Sequence, residues 1–237
     1  MTIAYNHLNL PKTVTKGSDV LTYIYDAEGS KLVEKLNSTV NNFYTGEVVY
    51  KEDKTIDYIP ASTGLIRKVG ADFVRQYNIN DHLGNVRVVV NQSGTIEQAS
   101  DYYPYGLAYN YNNLDKNRYL YNGKELQNQT LASTFFGVYD YGARHYDPTL
   151  GRWHCIDNKI EKYYNFSPYM YSANNPITII DPNEEDLIKV IVPANANASK
   201  TKTILVDSKS AAQFSKFALG MNSKYGLVIN SDFRSKS

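Results

Sequence analysis

As far as about residue 150, the chain alternates short runs of strand-forming residues with turns built on Asp, Asn and Gly. Leu21-Thr22-Tyr23-Ile24-Tyr25 leads into Asp26-Ala27-Glu28-Gly29, and Asp81-His82-Leu83-Gly84 leads into Val86-Arg87-Val88-Val89-Val90. β-Branched and aromatic residues suit a pleated, half-buried surface, so these runs predict strands. Both turns place Asp first and Gly fourth, the type I preference: the carboxylate accepts from the turn backbone, and Gly takes the positive φ that returns the chain. Gly29, Gly46, Gly64, Gly84, Gly106, Gly123 and Gly142 recur at steps of 17, 18, 20, 22, 17 and 19 residues. A period of about 20 residues fits one β-hairpin with its turns and marks a repetitive architecture. Hairpins laid side by side make a sheet with open edges, which must meet more sheet, another chain or a covering segment.

From Leu187 the pattern changes. Ile188 to Pro193 reads as a strand, a polar Asn/Ala/Ser linker around Asn195 follows, and Thr203 to Asp207 reads as another strand. A helix is predicted next, with Ser208 as its cap, Ala211, Phe214, Phe217 and Ala218 on one face, and Gly220 as its stop. Tyr225 to Asn230 resembles a last strand. A segment of this size is small for independent stability.

Composition narrows the function. The 237 residues carry 22 Tyr and 14 Gly but one Trp; 21 of the tyrosines precede Ser172 and 12 of the glycines precede Arg152. The tyrosine-rich part therefore reads as β, its rings packing on the sheet rather than forming a stacking site for a sugar or peptide. With 25 Lys+Arg against 24 Asp+Glu, no global field draws the chain to nucleic acid or an anionic membrane. No run approaches the roughly 20 apolar residues a bilayer requires, and no signal peptide is recognised. Cys155 is the single cysteine, so an intramolecular disulfide framework and a cysteine-rich zinc module are excluded.

The turn-and-strand unit, with Tyr25-Asp26-Ala27-Glu28-Gly29 and Asp81-His82-Leu83-Gly84-Asn85-Val86-Arg87, resembles the YD or RHS repeats of bacterial polymorphic toxins. Asp101-Tyr102-Tyr103-Pro104-Tyr105-Gly106 and Arg118-Tyr119-Leu120-Tyr121-Asn122-Gly123-Lys124-Glu125 look like the approach to the RHS repeat-associated core domain. The most specific stretch runs from Tyr139-Asp140-Tyr141-Gly142-Ala143-Arg144 to Gly151-Arg152-Trp153, and Ser167 to Pro176 with Ile180-Asp181-Pro182 completes the pattern. The resemblance implies a mainly β fold in which YD-repeat hairpins form a curved, shell-like sheet closed by an RHS core domain, with a short α/β tail. It divides the chain into a YD-repeat sheet over 1–117, the core domain over 118–186, and a variable tail over 187–237 in the effector position. The job implied is that of a shell and plug that packages and presents the tail, in a secreted or cell-surface bacterial protein. The partners implied are further YD-repeat sheet or another chain at the open edges, the chain's own tail, and an immunity protein; no cofactor is implied.

Relatives in this family cut their own chain just after the core through an aspartyl-protease-like site, whose residues fall by motif position on Asp157, Asp181 and Arg144. Two close carboxylates share a proton, one acting as base and the other as acid, and an arginine holds a carboxylate or stabilises oxyanion charge. The cut would fall among Asn183, Glu184, Glu185, Asp186 and Leu187. Here the chain departs from the family's pattern. Asp157 precedes Asn158 where Pro is usual, and the glycine expected after Asp181-Pro182 is replaced by glutamates. Glu184 there resists close backbone approach and positive φ, so the implied self-cleaving peptidase is a weakened one.

On the residues alone, Asp157 and Asp181 read as turn aspartates, and Arg144 as a strand residue pairing Asp140 or Asp147. His145, His154, Cys155 and Asp157 are all metal-ligand types, but their spacing matches no familiar zinc motif. Three functions stay open: a structural shell module, an aspartyl autopeptidase acting once on itself, and a truncated toxin in the tail.

Overall fold

The computed structural model describes residues 1–112, 116–157, 166–181 and 188–189. Twelve strands follow one another in space as they do in sequence: β1 (Thr2–Tyr5), β2 (Pro11–Lys16), β3 (Asp19–Tyr25), β4 (Lys31–Leu36), β5 (Thr39–Thr45), β6 (Val48–Tyr50), β7 (Ile56–Ala61), β8 (Gly64–Val69), β9 (Asp72–Asn80), β10 (Val86–Asn91), β11 (Ile96–Tyr102) and β12 (Ala108–Asn112). Every neighbouring pair is antiparallel, so the sheet is one long meander, and it is curved. The expected stacking of hairpins into a single curved wall is what forms.

The expected turn chemistry is also present. Asp26 Oδ1 accepts from the backbone N–H of Glu28 (3.0 Å) and Ser30 (2.7 Å), and Asp81 Oδ1 accepts from Leu83 (3.0 Å) and Asn85 (3.1 Å). Gly29 and Gly84, fourth in these loops, stand at φ of 92° and 80°. Each loop thus satisfies its own backbone groups and leaves the flanking strands free to pair.

A second sheet lies against the first. It is built from β13 (Glu125–Gln127), β16 (Val138–Asp140), β17 (His145–Asp147) and β18 (Arg152–Trp153) in that order. Two hairpins accompany it, β14 (Thr130–Leu131) with β15 (Thr134–Phe135), and β19 (Ile179–Ile180) with β20 (Ile188–Lys189). Among the described residues no α-helix interrupts Tyr139–Asp181. The tail elements expected after Lys189, including the helix and the α/β character, lie outside the described residues, as do Asn183, Glu184, Glu185, Asp186 and Leu187 of the expected cleavage region.

The two sheets meet through an apolar seam: Val14, Leu21 and Tyr23 of the large sheet pack with Leu131, Phe136 and Val138. The small sheet has its own core of Leu120, Tyr121, Leu126, Tyr139, Tyr141, Tyr146, Trp153 and Tyr171. Tyr121, Tyr139 and Tyr146 are fully buried yet keep their hydroxyls satisfied, donating to the carbonyls of Pro104 (3.0 Å), Gly106 (3.1 Å) and Tyr105 (2.7 Å). Tyrosine fits here because its ring fills the core while its hydroxyl bonds the loop that joins β11 to β12.

Gly106 is where loop and core come closest. Its φ is 87°, and a Cβ built on it would stand 2.5 Å from the Tyr121 ring, which is itself buried and tethered. Gly106→Ala is expected to cost about 1–3 kcal/mol, because the methyl overpacks a ring that cannot retreat. A lowered urea midpoint with unchanged strand content would bear this out; an unchanged midpoint would contradict it.

Candidate functional site

Asp157 and Asp181 are 24 residues apart in sequence, and nothing local unites them. The fold does so through Arg144, which sits just before β17. Asp157 follows β18 and is held by its backbone N–H, which donates to the Pro168 carbonyl (3.2 Å). Asp181 follows directly on β19. One guanidinium nitrogen, Arg144 Nη2, lies 3.1 Å from Asp157 Oδ2 and 3.7 Å from Asp181 Oδ2. The Arg144 and Asp181 side chains are each 5% exposed and Asp157 17%, so the three charges interact in a medium that screens poorly.

Trp153 completes the arrangement. Its ring lies 4.2 Å from the Arg144 guanidinium carbon, and it is wedged edge-on between Tyr141 (5.0 Å), Tyr146 (5.5 Å) and Tyr171 (5.5 Å). A buried indole face under a guanidinium both attracts the cation and limits its swing. The three residues hold one formal positive and two negative charges.

The reading of Arg144 as the partner of Asp140 or Asp147 is corrected by this geometry. Asp140 points the other way, to Lys31 Nζ at 2.7 Å, and Asp147 lies 3.5 Å from His154 Nε2. The reason is strand alternation: Arg144 and His145 project to opposite sides, and Asp140 is paired across from His145. His145 and His154 consequently face different carboxylates and do not converge on one point. Among the described residues no group of three or more His, Cys, Asp or Glu side chains is placed to hold a metal ion.

A second charged constellation escaped the reading of the sequence. Between the sheets, Lys31 of β4 bridges Glu125 Oε2 and Asp140 Oδ2 at 2.7 Å each. Arg118 reaches Glu34 Oε2 (3.3 Å) and Glu125 Oε1 (3.4 Å), and Tyr44 and Tyr58 donate to Glu125 Oε1 at 3.1 and 3.3 Å. Burial works against each charge, yet Asp140 and Glu125 together raise the Lys31 pKa well above its ordinary value. Burial likewise opposes ionisation of Glu125, but Lys31 and Arg118 outweigh it and hold the carboxyl below the usual range. A pocket of about 360 Å³ opens onto Lys31, Tyr44, Lys124, Glu125, Asp140 and Tyr141. No local signal marked this constellation: Glu34 shares the buried face of Tyr23 only through the register of β3 and β4, and a fully buried glutamate then requires a cation that has to come from elsewhere in the fold.

No family model matches the chain. It is 32% identical to Salivary gland surface protein 1 of Aedes aegypti over 75% of its length, and 28% identical to the tRNA3(Ser)-specific nuclease WapA of Bacillus spizizenii over 74%. Identity to Toxin subunit YenC1 of Yersinia entomophaga is 27% over 70% of the chain. The crystal structure of TcdB2-TccC3 superposes with a TM-score of 0.62 at 20% identity, covering 77% of the chain and 10% of that structure. These likenesses support membership of the RHS family. The chain spans only 5%, 8% and 19% of those three relatives, in the order given. The TcdB2-TccC3 match shows that the chain shares the fold of that structure, mainly antiparallel β with one large curved open sheet.

Proposed function

We propose that this chain is a wall and plug module of an RHS-type toxin: residues 1–117 form part of a shell, residues 118–186 act as its RHS core domain, and the segment from 187 is the cargo presented by them. The observation that carries this reading is the uninterrupted twelve-stranded meander, one of whose faces is covered by the small sheet through buried apolar and ionic contacts. A wall of this kind is extended at its end strands, β1 and β12, which are the places for further YD-repeat sheet or another chain. An immunity protein and a secreted or cell-surface setting belong to the same reading. Trypsin digestion of the full chain tests it. Lys200, Lys202, Lys209, Lys216 and Lys224 should be cut more slowly in the native chain than in the Val89→Asp chain, whose wall is broken at a fully buried position. Equal rates would sink the packaging role.

A second reading, autoproteolysis, is favoured by Arg144 touching both aspartates. In it, the ionised carboxylate takes a proton from water as the water oxygen adds to the scissile carbonyl carbon. The protonated carboxyl gives its proton to the carbonyl oxygen, and collapse breaks the C–N bond with a proton passing to the departing amine. Arg144 stabilises the negative charge that builds up. Intact-mass measurement under denaturing conditions should then find two pieces, parted between Asn183 and Ile188. Asp157→Asn and Asp181→Asn should each leave a single 26.9 kDa species. A single species from the unaltered chain removes the reading, and persistent cleavage in both variants removes the assigned pair.

A further inference from the structure

His145 is outside the Arg144 site and buried between the two sheets, and neither ring nitrogen has a hydrogen-bond partner among the described residues. Its ring stands edge-on to Tyr23 of β3 (5.5 Å, 83°) and tilted against Phe136 (6.1 Å, 62°). Nε2 lies 3.9 Å from Asp140 Oδ2, the same oxygen that holds Lys31 of β4 at 2.7 Å. The titratable groups acting on the imidazole are Asp140 on β16, Lys31 on β4, Glu125 on β13 and His154 beyond β18. Lys31 thus ties the large sheet to the small one through Asp140, beside the Arg118 bridge between Glu34 and Glu125, and His145 is a second, uncharged claimant to the Asp140 carboxylate.

We infer that His145 is an acid-sensitive latch between the sheets, uncharged when they are closed and, once protonated, competing with Lys31 for Asp140 so that the small sheet loosens from the wall. The inference stands on the burial and the shared oxygen, and it does not depend on cleavage. The direction follows from what the site does to the imidazole. Burial, aided by Lys31 and His154 and opposed by Asp140 and Glu125, lowers its pKa from 6.5 to about 4. An imidazole released to water takes up its proton below about 6.5. Between about pH 6.5 and 4 the open form therefore binds more protons than the closed one, and the open-to-closed ratio rises by about tenfold for each unit of acidification. Above pH 6.5 this contribution is fully in place and flat.

Hydrogen exchange on the full chain, followed from pH 7 to pH 4, reads the latch. At each pH, protection of Glu125–Gln127 and Val138–Asp140 is compared with that of Gly64–Val69 and Asp72–Asn80, which lie in the wall; the ratio cancels the intrinsic effect of pH on exchange. The small-sheet segments are expected to lose protection relative to the wall by at least tenfold between pH 6 and pH 4. His145→Phe, which keeps a ring between Tyr23 and Phe136, and His145→Gln, which keeps a polar group, should both abolish that loss; the second stands in if the bulkier ring prevents folding. A uniform loss across both sheets, an unchanged loss in the variants, or a His145 imidazole that titrates near 6.5 in the folded chain by NMR would each overturn the inference.

Discussion

Lys31→Met is expected to destabilise the protein by about 3–5 kcal/mol, the cost of leaving buried charge uncompensated. Lys31 Nζ is the hydrogen-bonding cation of both Glu125 and Asp140 at 2.7 Å. Removing it strands Asp140 with the backbone N–H of Gly142 at 2.9 Å and a neutral His145. Glu125 is less exposed to the loss, since Arg118 stays at 3.4 Å. Two measurements check the mechanism. Asp140→Asn placed on top of Lys31→Met should recover part of the loss, and a double-mutant cycle should return a favourable coupling. The pH dependence should also differ. The Asp140 and Glu125 carboxyls are held below their ordinary range in the intact protein, so the stability they lend is fully present above that range and fades as pH falls through the lowered values. The gap between Lys31→Met and the intact protein should accordingly be largest near neutrality and narrow in acid. A constant gap would point to the lost contact of Lys31 Nζ with the Tyr44 ring, whose centroid is 4.5 Å away, as the whole effect.

The second large loss is expected for Tyr146→Ala, about 3–5 kcal/mol. Tyr146 is fully buried in β17, paired across from Tyr139 on one side and Trp153 on the other. Its ring is 4.0 Å from Tyr171 and 6.2 Å from Tyr121. Truncation removes the ring that both flanking strands pack on, and it frees the Tyr105 carbonyl from its hydroxyl. Tyr146→Phe separates the two effects. It keeps the packing and loses one hydrogen bond to a partly buried acceptor, about 0.5–1.5 kcal/mol. Equal losses for both variants would mean that the hydroxyl, not the ring, anchors the small sheet. Since Trp153 is supported by the same ring, Tyr146→Ala should also free the Arg144 guanidinium, visible as loss of the indole's fixed near-ultraviolet signal.

Much of the wall could be read from local chemistry. Leu21 to Tyr25 and Val86 to Val90 became strands because β-branched and aromatic residues alternate there between self-contained turns, and those turns are governed by their own Asp and Gly. Each hairpin needs only its neighbour, so a periodic sequence yields a periodic sheet. The candidate site was legible only through the resemblance, which implies that its three residues meet, and not from local pattern: Arg144, Asp157 and Asp181 sit on different connections, and their sharing of one nitrogen depends on how β17, β18 and β19 are placed. The ionic cluster was not legible at all. Glu34 and Lys31 on β4 look like ordinary solvated sheet residues until Arg118, Glu125 and Asp140 arrive from nearly a hundred positions downstream.

The sequence by itself thus determined what is local: where strands run, where turns close, and that the architecture repeats, since each depends on residues within a few positions. Only the tertiary structure decided which face of the wall is buried and which charges meet, that Arg144 would serve Asp157 and Asp181 together rather than Asp140 or Asp147, and that His145 would stand beside Asp140 without a hydrogen bond. Those outcomes hang on long-range packing, where the cost of burying a charge is set by partners that no local pattern of hydrophobic and polar residues encodes.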